Sequence, residues 1–181
     1  MELHEAERKI AARLADGSEP ETTQGLLERL AALGIAQRTV SHPPLYTVAE
    51  SKELRGQLPG LHIKNLFLRN KKGAMWLVTC LEDREVDLKW LGEALEAGRF
   101  SFGSPERLMS YLGVSPGAVT PFAVVNDKGG EVAMVLDSAL VCPDPVNAHP
   151  LVNDRTTAVS GTDLVRFLEA LGHPPRLLTF R

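Results

Sequence analysis

Two apolar segments on either side of a short polar turn constrain the fold more than any other feature of this chain. They are His62–Arg69 and Ala74–Leu81, and the polar residues Asn70–Gly73 separate them. Because short apolar segments bounded by turn residues form strands, this arrangement predicts an antiparallel hairpin. Pro59 and Gly60 predict the turn that leads into its first strand.

Helix start and stop signals divide much of the remaining chain into short helices. Thr47 and Glu50 have the spacing of a capping box, in which the two side chains satisfy backbone N–H groups of the first turn. Ser104 followed by proline is another start signal, and Gly113 marks the end of that helix. The predicted helices span Thr23–Leu33, Thr47–Leu58, Asp87–Gly98, Ser104–Gly113 and Ser160–Gly172.

Further strands are expected around the hairpin. Asn126–Gly130 lies between two apolar segments and predicts a second hairpin. The additional strands are predicted at Ala36–Ser41, Phe122–Val125, Glu131–Leu136, Ala139–Cys142, Thr156–Val159 and Arg176–Phe180, with Pro143–Pro150 as a loop. Together with the helices, these strands predict a mixed α/β domain built on hairpins rather than on regular βαβ units.

Composition narrows the class of protein. The net charge of −3 over 181 residues argues against broad, non-specific nucleic-acid binding. No run of 18 apolar residues is present, so we expect no transmembrane helix and no membrane partner. The charged N-terminus is unlike a secretory signal, and Cys80 and Cys142 show no C-x-x-C spacing. These features predict buried thiols and a cytoplasmic location.

The first part of the chain is expected to be separate from the main domain. Apolar residues with helical spacing predict a helix over residues 1–17. The polar residues Ser18–Glu21 then predict a linker. We therefore expect a helical extension and linker over residues 1–21 and the functional domain over residues 22–181.

Residues 113–121 include a match to a serine-hydrolase motif but lack a group that this motif needs for catalysis. Gly113–Gly117 matches the G-x-S-x-G pattern of serine hydrolases, in which the N–H after the serine stabilises the oxyanion. Here Pro116 follows Ser115 and has no N–H, so we do not expect Ser115 to be a nucleophile. The second half of the loop, Gly117–Pro121, carries backbone N–H groups between two prolines, which favours contact with a carbonyl oxygen.

Two polar residues interrupt the first predicted strand. Lys64 and Asn65 lie between Ile63 and Leu66, so alternation places their side chains on opposite faces. A solvated lysine on an edge strand explains this pattern without any function. Alternatively, the ammonium group binds a phosphate or carboxylate, and the neighbouring amide orients the ligand.

His149 and Asn153 lie in the predicted proline-rich loop. Pro150 holds the preceding residue in extended geometry and so restricts the direction of the His149 ring. This histidine either bonds the loop backbone or contacts a substrate, and Asn153 is of a type common in turns. The histidines and cysteines show no paired zinc spacing, and nucleotide-binding glycine motifs are absent. We therefore expect no metal and no cofactor.

Four segments in order along the chain resemble one enzyme family. They are His42–Thr47, His62–Leu68, Leu112–Phe122 and Asn147–Asn153. They are similar to the prolyl-tRNA editing family, which includes the insertion domain of bacterial prolyl-tRNA synthetases and freestanding YbaK-like deacylases. The segments look most like the freestanding branch that clears alanine from tRNA(Pro). The resemblance covers residues 22–181 and implies a mixed, partly barrel-like sheet surrounded by helices.

The resemblance also implies roles for individual residues. Lys64 would bind the phosphate or ribose of the terminal adenosine, and Gly117 would direct backbone N–H groups at the ester carbonyl. His149 and Asn65 would orient the aminoacyl group. The implied catalytic residues are Lys64, Gly117 and His149. The candidate substrate-binding residues are Asn65, Ala118, Pro121, Thr47 and Asn153, together with Leu45, which lies near the motifs and is a candidate wall of the amino-acid pocket.

The implied reaction is hydrolysis of misacylated tRNA(Pro), with Ala-tRNA(Pro) as the expected substrate. Water would attack the aminoacyl ester, assisted by the substrate 2′-OH and by backbone N–H groups at the oxyanion. The expected partner is the acceptor end of misacylated tRNA(Pro), and a prolyl-tRNA synthetase is a second candidate. Candidates for a local basic patch are Lys52, Arg55, Lys64, Arg69, Lys71 and Lys72.

Two other functions stay open. One is a deacylase for Cys-tRNA(Pro) or another small aminoacyl-tRNA, because the size of the amino-acid pocket is not readable from the sequence. The other is a module that binds tRNA ends or a synthetase without catalysis. The presence of Lys64, Gly117 and His149 together favours an enzyme, since a binding module has no need of the whole set.

Overall fold

A computed structural model of the chain describes residues 12–44 and 48–181. The α-helices in these ranges are α1 (Thr23–Ala32), α2 (Val48–Gln57), α3 (Leu88–Ala94), α4 (Pro105–Leu112) and α5 (Gly161–Ala170). The strands are β1 (Arg38–Ser41), β2 (Leu61–Arg69), β3 (Met75–Leu81), β4 (Ser101–Phe102), β5 (Val132–Asp137), β6 (Pro145–Ala148), β7 (Arg155–Ser160) and β8 (Arg176–Leu178). Three 3-10 helices are η1 (Pro116–Ala118), η2 (Pro121–Asn126) and η3 (Ser138–Leu140). None of the described helices is long and apolar enough to cross a membrane.

The strands form one mixed sheet in which β2 is central. Their order is β1-β7-β6-β2-β3-β5-β8, and β4 pairs with β2. β2 and β3 form the predicted antiparallel hairpin, in which Asn65 lies opposite Thr79. β6 runs parallel to β2, and β5 runs parallel to both β3 and β8. The predicted mixed α/β fold, with helices around a mixed sheet, is confirmed, and its strand order follows an open path.

Local sequence signals set the ends of two predicted helices. At the start of α4 the Ser104 side chain accepts a hydrogen bond from the Arg107 N–H, and α4 ends at Gly113 with φ of 65°. That backbone conformation is left-handed, which glycine adopts without steric cost. At the start of α5 the Ser160 side chain accepts from the Asp163 N–H. Such caps satisfy N–H groups that have no partner within the helix.

The β2–β3 hairpin is covered on both faces. Successive strand residues point to opposite faces, and Phe67 and Leu68 accordingly belong to two different apolar clusters. The same separation holds for Leu77 and Val78. The larger cluster is formed with α1, η2 and α5, and the smaller one with α3 and the segment after β8. A buried polar side chain in this hairpin therefore needs a partner within the protein.

The predicted second hairpin is wrong. Pro121–Asn126 is the 3-10 helix η2 rather than a strand, and β5 pairs in parallel with β3. The Thr120 side chain accepts a hydrogen bond from the Phe122 N–H at the start of η2, and all residues of η2 are buried. A short apolar segment that is buried all round has no periodicity that distinguishes a strand from a helix.

Two further predictions after β5 need correction. The predicted strand Ala139–Cys142 is wrong, because Ser138–Leu140 is the 3-10 helix η3, which the Asp137 side chain caps. Conversely, Pro145–Ala148 lies in the predicted proline-rich loop but forms strand β6 between β2 and β7. Pro145 is the first residue of that strand, a position where a missing N–H is tolerated.

The segment before α1 lies against the domain. The Ala15 N–H donates to the Ser110 carbonyl at 2.7 Å, and the Glu21 N–H donates to the Asn126 side chain at 2.8 Å. Of the predicted N-terminal helix, residues 12–17 are not helical, and the earlier residues lie outside the described part of the chain. The predicted linker is therefore attached to η2 at its end.

Candidate active site

The predicted oxyanion loop consists of η1 and a short connection to η2. Within it, the Ala118 N–H donates to the Ser115 carbonyl at 2.9 Å, and Ala118 is buried. Gly117 is exposed and occupies the second position of η1. A backbone N–H at the start of such a helix has no acceptor within the helix itself. The N–H that this geometry leaves for a ligand is therefore that of Gly117 and not that of Ala118.

Ser115 is not positioned as a nucleophile. It lies between helix α4 and η1, whereas the serine of a nucleophile elbow lies between a strand and a helix. Pro116 follows it in the chain and has no N–H to stabilise an oxyanion. Both observations agree with the exclusion that was made from the sequence.

Asn65 connects the hairpin to the oxyanion loop. Its Nδ2 donates to the Val119 carbonyl at 3.1 Å, and its Oδ1 accepts from the Thr79 hydroxyl at 2.6 Å. Because a backbone carbonyl only accepts, the Nδ2 side of the amide must face Val119 and the Oδ1 side must face Thr79. Asn65 therefore holds the loop through one Nδ2 proton, and its amide has a second proton for another acceptor.

Lys64 lies on the opposite face of β2 from Asn65. Its Nζ donates to the Arg84 carbonyl in the turn that follows β3. The Arg84 guanidinium contacts Asp137 through two bonds, of 2.9 Å from Nε to Oδ2 and 3.3 Å from Nη2 to Oδ1. Asp137 is fully buried and also accepts from the Leu81 N–H. An ion pair between this buried carboxylate and the partly exposed Arg84 side chain thus fixes the turn whose carbonyl holds Lys64.

His149 directly follows β6, and the loop backbone orients its ring. Its Nδ1 lies 2.9 Å from the Arg155 carbonyl, which only accepts, so Nδ1 carries the proton. Burial lowers the pKa of His149; the bond to Arg155 opposes this effect, and the charge of His42 adds to it. The ring is therefore neutral near pH 7 and presents Nε2 as an acceptor. The His42 and His149 ring centres are 6.2 Å apart.

Gly117 and the His149 loop meet at Asn153. A Cβ atom built on Gly117 would lie 3.3 Å from Nδ2 of Asn153. The Thr23 hydroxyl donates to the Pro150 carbonyl at 2.6 Å and so attaches this loop to α1. The Asn153 amide and the exposed Gly117 backbone are consequently close enough to contact the same small group.

The structure brings some of the predicted site residues together and separates others. Gly117, Asn153 and Asn65 are connected through the oxyanion loop. His149 belongs to the loop that carries Asn153, whereas Lys64 lies on the other face of β2. The remaining predicted residues are Ala118 and Pro121, which are buried, and Leu45 and Thr47, which lie outside the described residues.

Three residues in contact with this set were not predicted. The Thr79 hydroxyl bonds Asn65, the Arg84 carbonyl bonds the predicted lysine, and the His42 ring lies beside that of His149. Thr79 is a polar residue in an apolar strand opposite Asn65, so the register of the predicted hairpin could have found it. Arg84 and His42 act through turn and loop conformations, which leave no periodic signal in a sequence.

A groove of about 350 Å³ lies next to His42. Thr156 lines this groove, and its hydroxyl is 2.8 Å from Nε2 of His42. Asn147 also lines it, but the Asn147 amide donates to the carbonyls of Pro59 and Leu61. The volume is in the range of small-molecule sites, but neither His42 nor His149 lines the groove, which meets His42 only through Thr156.

The described residues offer no metal site, and Cys80 is not a reactive thiol. No group of three or more His, Cys, Asp or Glu side chains in the described part of the chain could hold a metal ion. Burial raises the pKa of the Cys80 thiol to about 11, and a thiol in that state is a poor nucleophile near pH 7. The polar groups in or near this set are thus a backbone N–H, two amides and an imidazole, with the Lys64 ammonium on the other face of β2.

Comparison with known proteins identifies the family. A family model described as the aminoacyl-tRNA editing domain matches residues 42–167. This range contains the β2–β3 hairpin, the oxyanion loop and the His149 loop. The chain belongs to the aminoacyl-tRNA editing domain family. The prediction of an editing hydrolase of the aminoacyl-tRNA deacylase class is confirmed.

Two relatives match this chain over most of its length and over most of their own. The prolyl-tRNA editing protein ProX of Acetoanaerobium sticklandii is 36% identical over 151 residues, which are 83% of this chain and 92% of the relative. The prolyl-tRNA synthetase associated domain-containing protein 1 of Mus musculus is 38% identical over 160 residues, which are 86% of this chain and 94% of the relative.

Solved structures share the fold at lower identity. The crystal structure of the hypothetical protein APE2540 has a TM-score of 0.68 at 19% identity and covers 85% of this chain and 97% of that one. A crystal structure described as a candidate trans-editing enzyme for prolyl-tRNA synthetase has a TM-score of 0.66 at 18% identity, with coverage of 88% and 96%. At these identities the similarity shows a common fold.

Proposed function

We propose that this protein is a trans-acting editing hydrolase that deacylates misacylated tRNA(Pro), with Ala-tRNA(Pro) as its main substrate. Support comes from its similarity to the ProX relative, of which the chain covers 92% of the length. The name of the mouse relative refers to prolyl-tRNA synthetase. The proposed partners are the acceptor end of misacylated tRNA(Pro) and, as a second candidate, prolyl-tRNA synthetase.

The observation that carries this proposal is the exposed Gly117 backbone beside the Asn153 amide, at a site where the described residues place no activated nucleophile. An aminoacyl ester is already activated, so its hydrolysis needs a positioned water and donors for the developing oxyanion. In this proposal the Gly117 N–H binds the ester carbonyl oxygen. Asn153 supplies a second donor from the neighbouring loop.

The remaining polar groups orient the two ends of the substrate. In this proposal the neutral His149 ring accepts a hydrogen bond from the α-ammonium group at Nε2, and the second Nδ2 proton of Asn65 contacts the aminoacyl moiety. Lys64 uses one of its three protons for the Arg84 carbonyl, so two remain for the phosphate or ribose of the terminal adenosine.

The attacking group in the proposed reaction is water. The water oxygen adds to the ester carbonyl carbon, the bond to the ribose oxygen breaks, and that oxygen takes up a proton to leave as a hydroxyl. The amino acid leaves with a carboxylate, and one proton passes to solvent. The ribose 2′-OH hydrogen-bonds the water and orients it. A tRNA ending in 2′-deoxyadenosine should therefore be hydrolysed much more slowly, and hydrolysis at the normal rate would exclude this assistance.

Specificity for alanine follows from exclusion by size. A synthetase pocket built for proline rejects smaller alanine poorly, because a few missing methylene groups are worth only about 1–3 kcal/mol each. A second pocket that is too small for proline corrects this error. The editing pocket in this proposal admits alanine and excludes proline.

Single-turnover deacylation of Ala-, Cys- and Pro-tRNA(Pro) by the purified protein tests the proposal. We expect rapid loss of alanine and none of proline. Selective loss of cysteine would keep the chemistry and change the substrate. Binding of these tRNAs without hydrolysis would refute the enzyme and leave a binding module.

A further inference from the structure

Thr79 is a fully buried hydroxyl in the middle of an apolar strand. It has 0% exposure, and its chain neighbours Val78 and Cys80 are also fully buried. A buried hydroxyl without a hydrogen bond is costly, so its partner determines whether the residue is tolerated there. That partner is Asn65 on the facing strand, at 2.6 Å.

The hydroxyl holds the Asn65 amide in the orientation that the Val119 carbonyl requires, because it donates to Oδ1. Oδ1 of Asn65 accepts from Thr79, and this leaves Nδ2 directed at the Val119 carbonyl. If the amide turned over, its oxygen would face the carbonyl oxygen of Val119, and two acceptors would repel each other. Thr79 and Asn65 thus form a two-step connection from the buried hairpin to the loop.

Val119 lies between η1 and η2 and is two residues from Gly117. Its chain neighbours Ala118 and Thr120 are buried, whereas Gly117 is exposed. The loop is thus anchored on the side of Val119 and presents its backbone to solvent on the side of Gly117. A change at the Val119 carbonyl therefore moves the Gly117 N–H relative to the rest of the site.

We propose that Thr79 is a positioning residue for the editing reaction: through Asn65 and the Val119 carbonyl, its hydroxyl sets the place of the Gly117 N–H. This inference rests on the proposed function and adds a residue that does not touch the substrate. It also changes the main role of Asn65 from a substrate contact to the support of the loop. Catalysis depends on such positioning, because a displacement of about 1 Å at the reacting groups costs on the order of 100-fold in rate.

Three variants separate the hydroxyl from the packing of the side chain. Thr79→Val removes the hydroxyl and keeps the shape, whereas Thr79→Ser keeps the hydroxyl and removes a methyl group. Thr157→Val is the matched control, because Thr157 is also fully buried and its hydroxyl also bonds a facing-strand residue, Thr39, at 2.7 Å. Each variant is measured by single-turnover deacylation over a range of tRNA concentrations and by thermal unfolding.

We expect Thr79→Val to lower the maximal deacylation rate by about 10- to 100-fold, with the tRNA concentration at half-maximal rate changed by less than about 3-fold. Thr79→Ser should restore the rate to within about 3-fold of the wild type, because the hydroxyl can still donate. Thr157→Val should react at nearly the wild-type rate, even where its melting temperature falls as far as that of Thr79→Val.

Three results would overturn the proposal. They are a wild-type rate in Thr79→Val, an equally slow Thr79→Ser, or an equal loss of rate in Thr157→Val. If the wild type itself hydrolyses none of the aminoacyl-tRNAs, the proposed function fails instead. The effect of Thr79 on the position of the Gly117 loop is then tested without tRNA, by NMR of the backbone amide resonances of Gly117 and Val119. Thr79→Val should shift both resonances and Thr157→Val neither, and unchanged resonances in Thr79→Val would refute the connection.

Discussion

A buried ion pair between His173 and Asp127 connects the segment after α5 to the segment between η2 and β5, and its removal should destabilise the fold. His173 is 6% exposed and Asp127 is 4% exposed, and Nε2 lies 2.9 Å from Oδ2. The other ring nitrogen, Nδ1, lies 3.1 Å from the Leu171 carbonyl. Because a carbonyl and a carboxylate both accept, both nitrogens are placed to donate, which is the arrangement that favours the protonated ring.

The perturbation is His173→Leu, which removes the cation and keeps an apolar side chain in its place. Removing one member of a buried ion pair costs about 3–5 kcal/mol. Asp127 keeps hydrogen bonds from the Glu131 and Val132 N–H groups at 3.0 and 2.8 Å, so we expect the lower end, about 3 kcal/mol. For a domain of this size, each kcal/mol lowers the melting temperature by about 2–4 °C, so the expected fall is about 6–12 °C.

The pH dependence distinguishes an ion pair from simple packing. The bond to Asp127 raises the pKa of His173 above its ordinary value of 6.5, against the opposing effect of burial. This stabilisation is therefore complete below pH 6.5 and is lost as the pH rises through the folded pKa. For Asp127 burial acts to raise the pKa, but the bonds from His173 and the backbone outweigh it, and the pKa lies below 3.8. That contribution is complete above pH 3.8 and is lost as the pH falls through the folded pKa.

Thermal unfolding followed by circular dichroism measures the difference between wild type and His173→Leu. The difference should be largest between about pH 4 and 6.5 and should shrink at alkaline pH. Glu169→Gln, an exposed substitution in α5, is the control and should change stability by less than about 0.5 kcal/mol. A difference of equal size at pH 5.5 and pH 9.5 would refute the ionic account and leave only the packing of the ring.

Three other variants test the site and its supports. Lys64→Ala should lower the rate of single-turnover deacylation by about 100-fold or more and leave the melting temperature nearly unchanged. Lys89→Ala, an exposed control in α3, should change neither quantity. Hydrolysis at the normal rate by Lys64→Ala would remove Lys64 from the site. Gly117→Ala places a methyl group 3.3 Å from the Asn153 amide and should slow deacylation about 10-fold without unfolding the protein, since a small displacement at the reacting groups is costly. Asp137→Asn leaves the partly exposed Arg84 guanidinium without a counter-charge and should lower the free energy of unfolding in urea by about 2 kcal/mol. A loss below about 0.5 kcal/mol would show that the pair is not essential.

The parts of the fold that sequence reasoning predicted well are those set by local chemistry. The hairpin around Asn70–Gly73 follows from two apolar segments and a turn, and it is present with its strands at Leu61–Arg69 and Met75–Leu81. The starts of α4 and α5 follow from Ser104 and Ser160, whose side chains bond the first turn. Each of these signals acts over a few residues, so no knowledge of the rest of the chain is needed.

The errors lie where tertiary contacts decide the conformation. Phe122–Val125 is a 3-10 helix because it is surrounded by the core, and its composition suits a strand equally well. Pro145–Ala148 is a strand because β2 and β7 pair with it on both sides, although prolines usually argue against a strand. Such pairings join residues far apart in the chain, so they cannot be predicted from the composition or periodicity of a local segment.

The candidate site shows the same division between what a sequence records and what it does not. The sequence predicts Gly117, His149 and Asn65 as site residues, because they lie in segments that resemble those of one enzyme family. Their arrangement depends on contacts that are not local: the Asn65 amide reaches the oxyanion loop, and Gly117 meets Asn153 from a different loop. A site that hydrolyses an activated ester needs no nucleophile, but it needs donors held in place. The rigid β2–β3 hairpin, covered on both faces, is the element that can hold them, which is why we assign the positioning of the Gly117 loop to this hairpin.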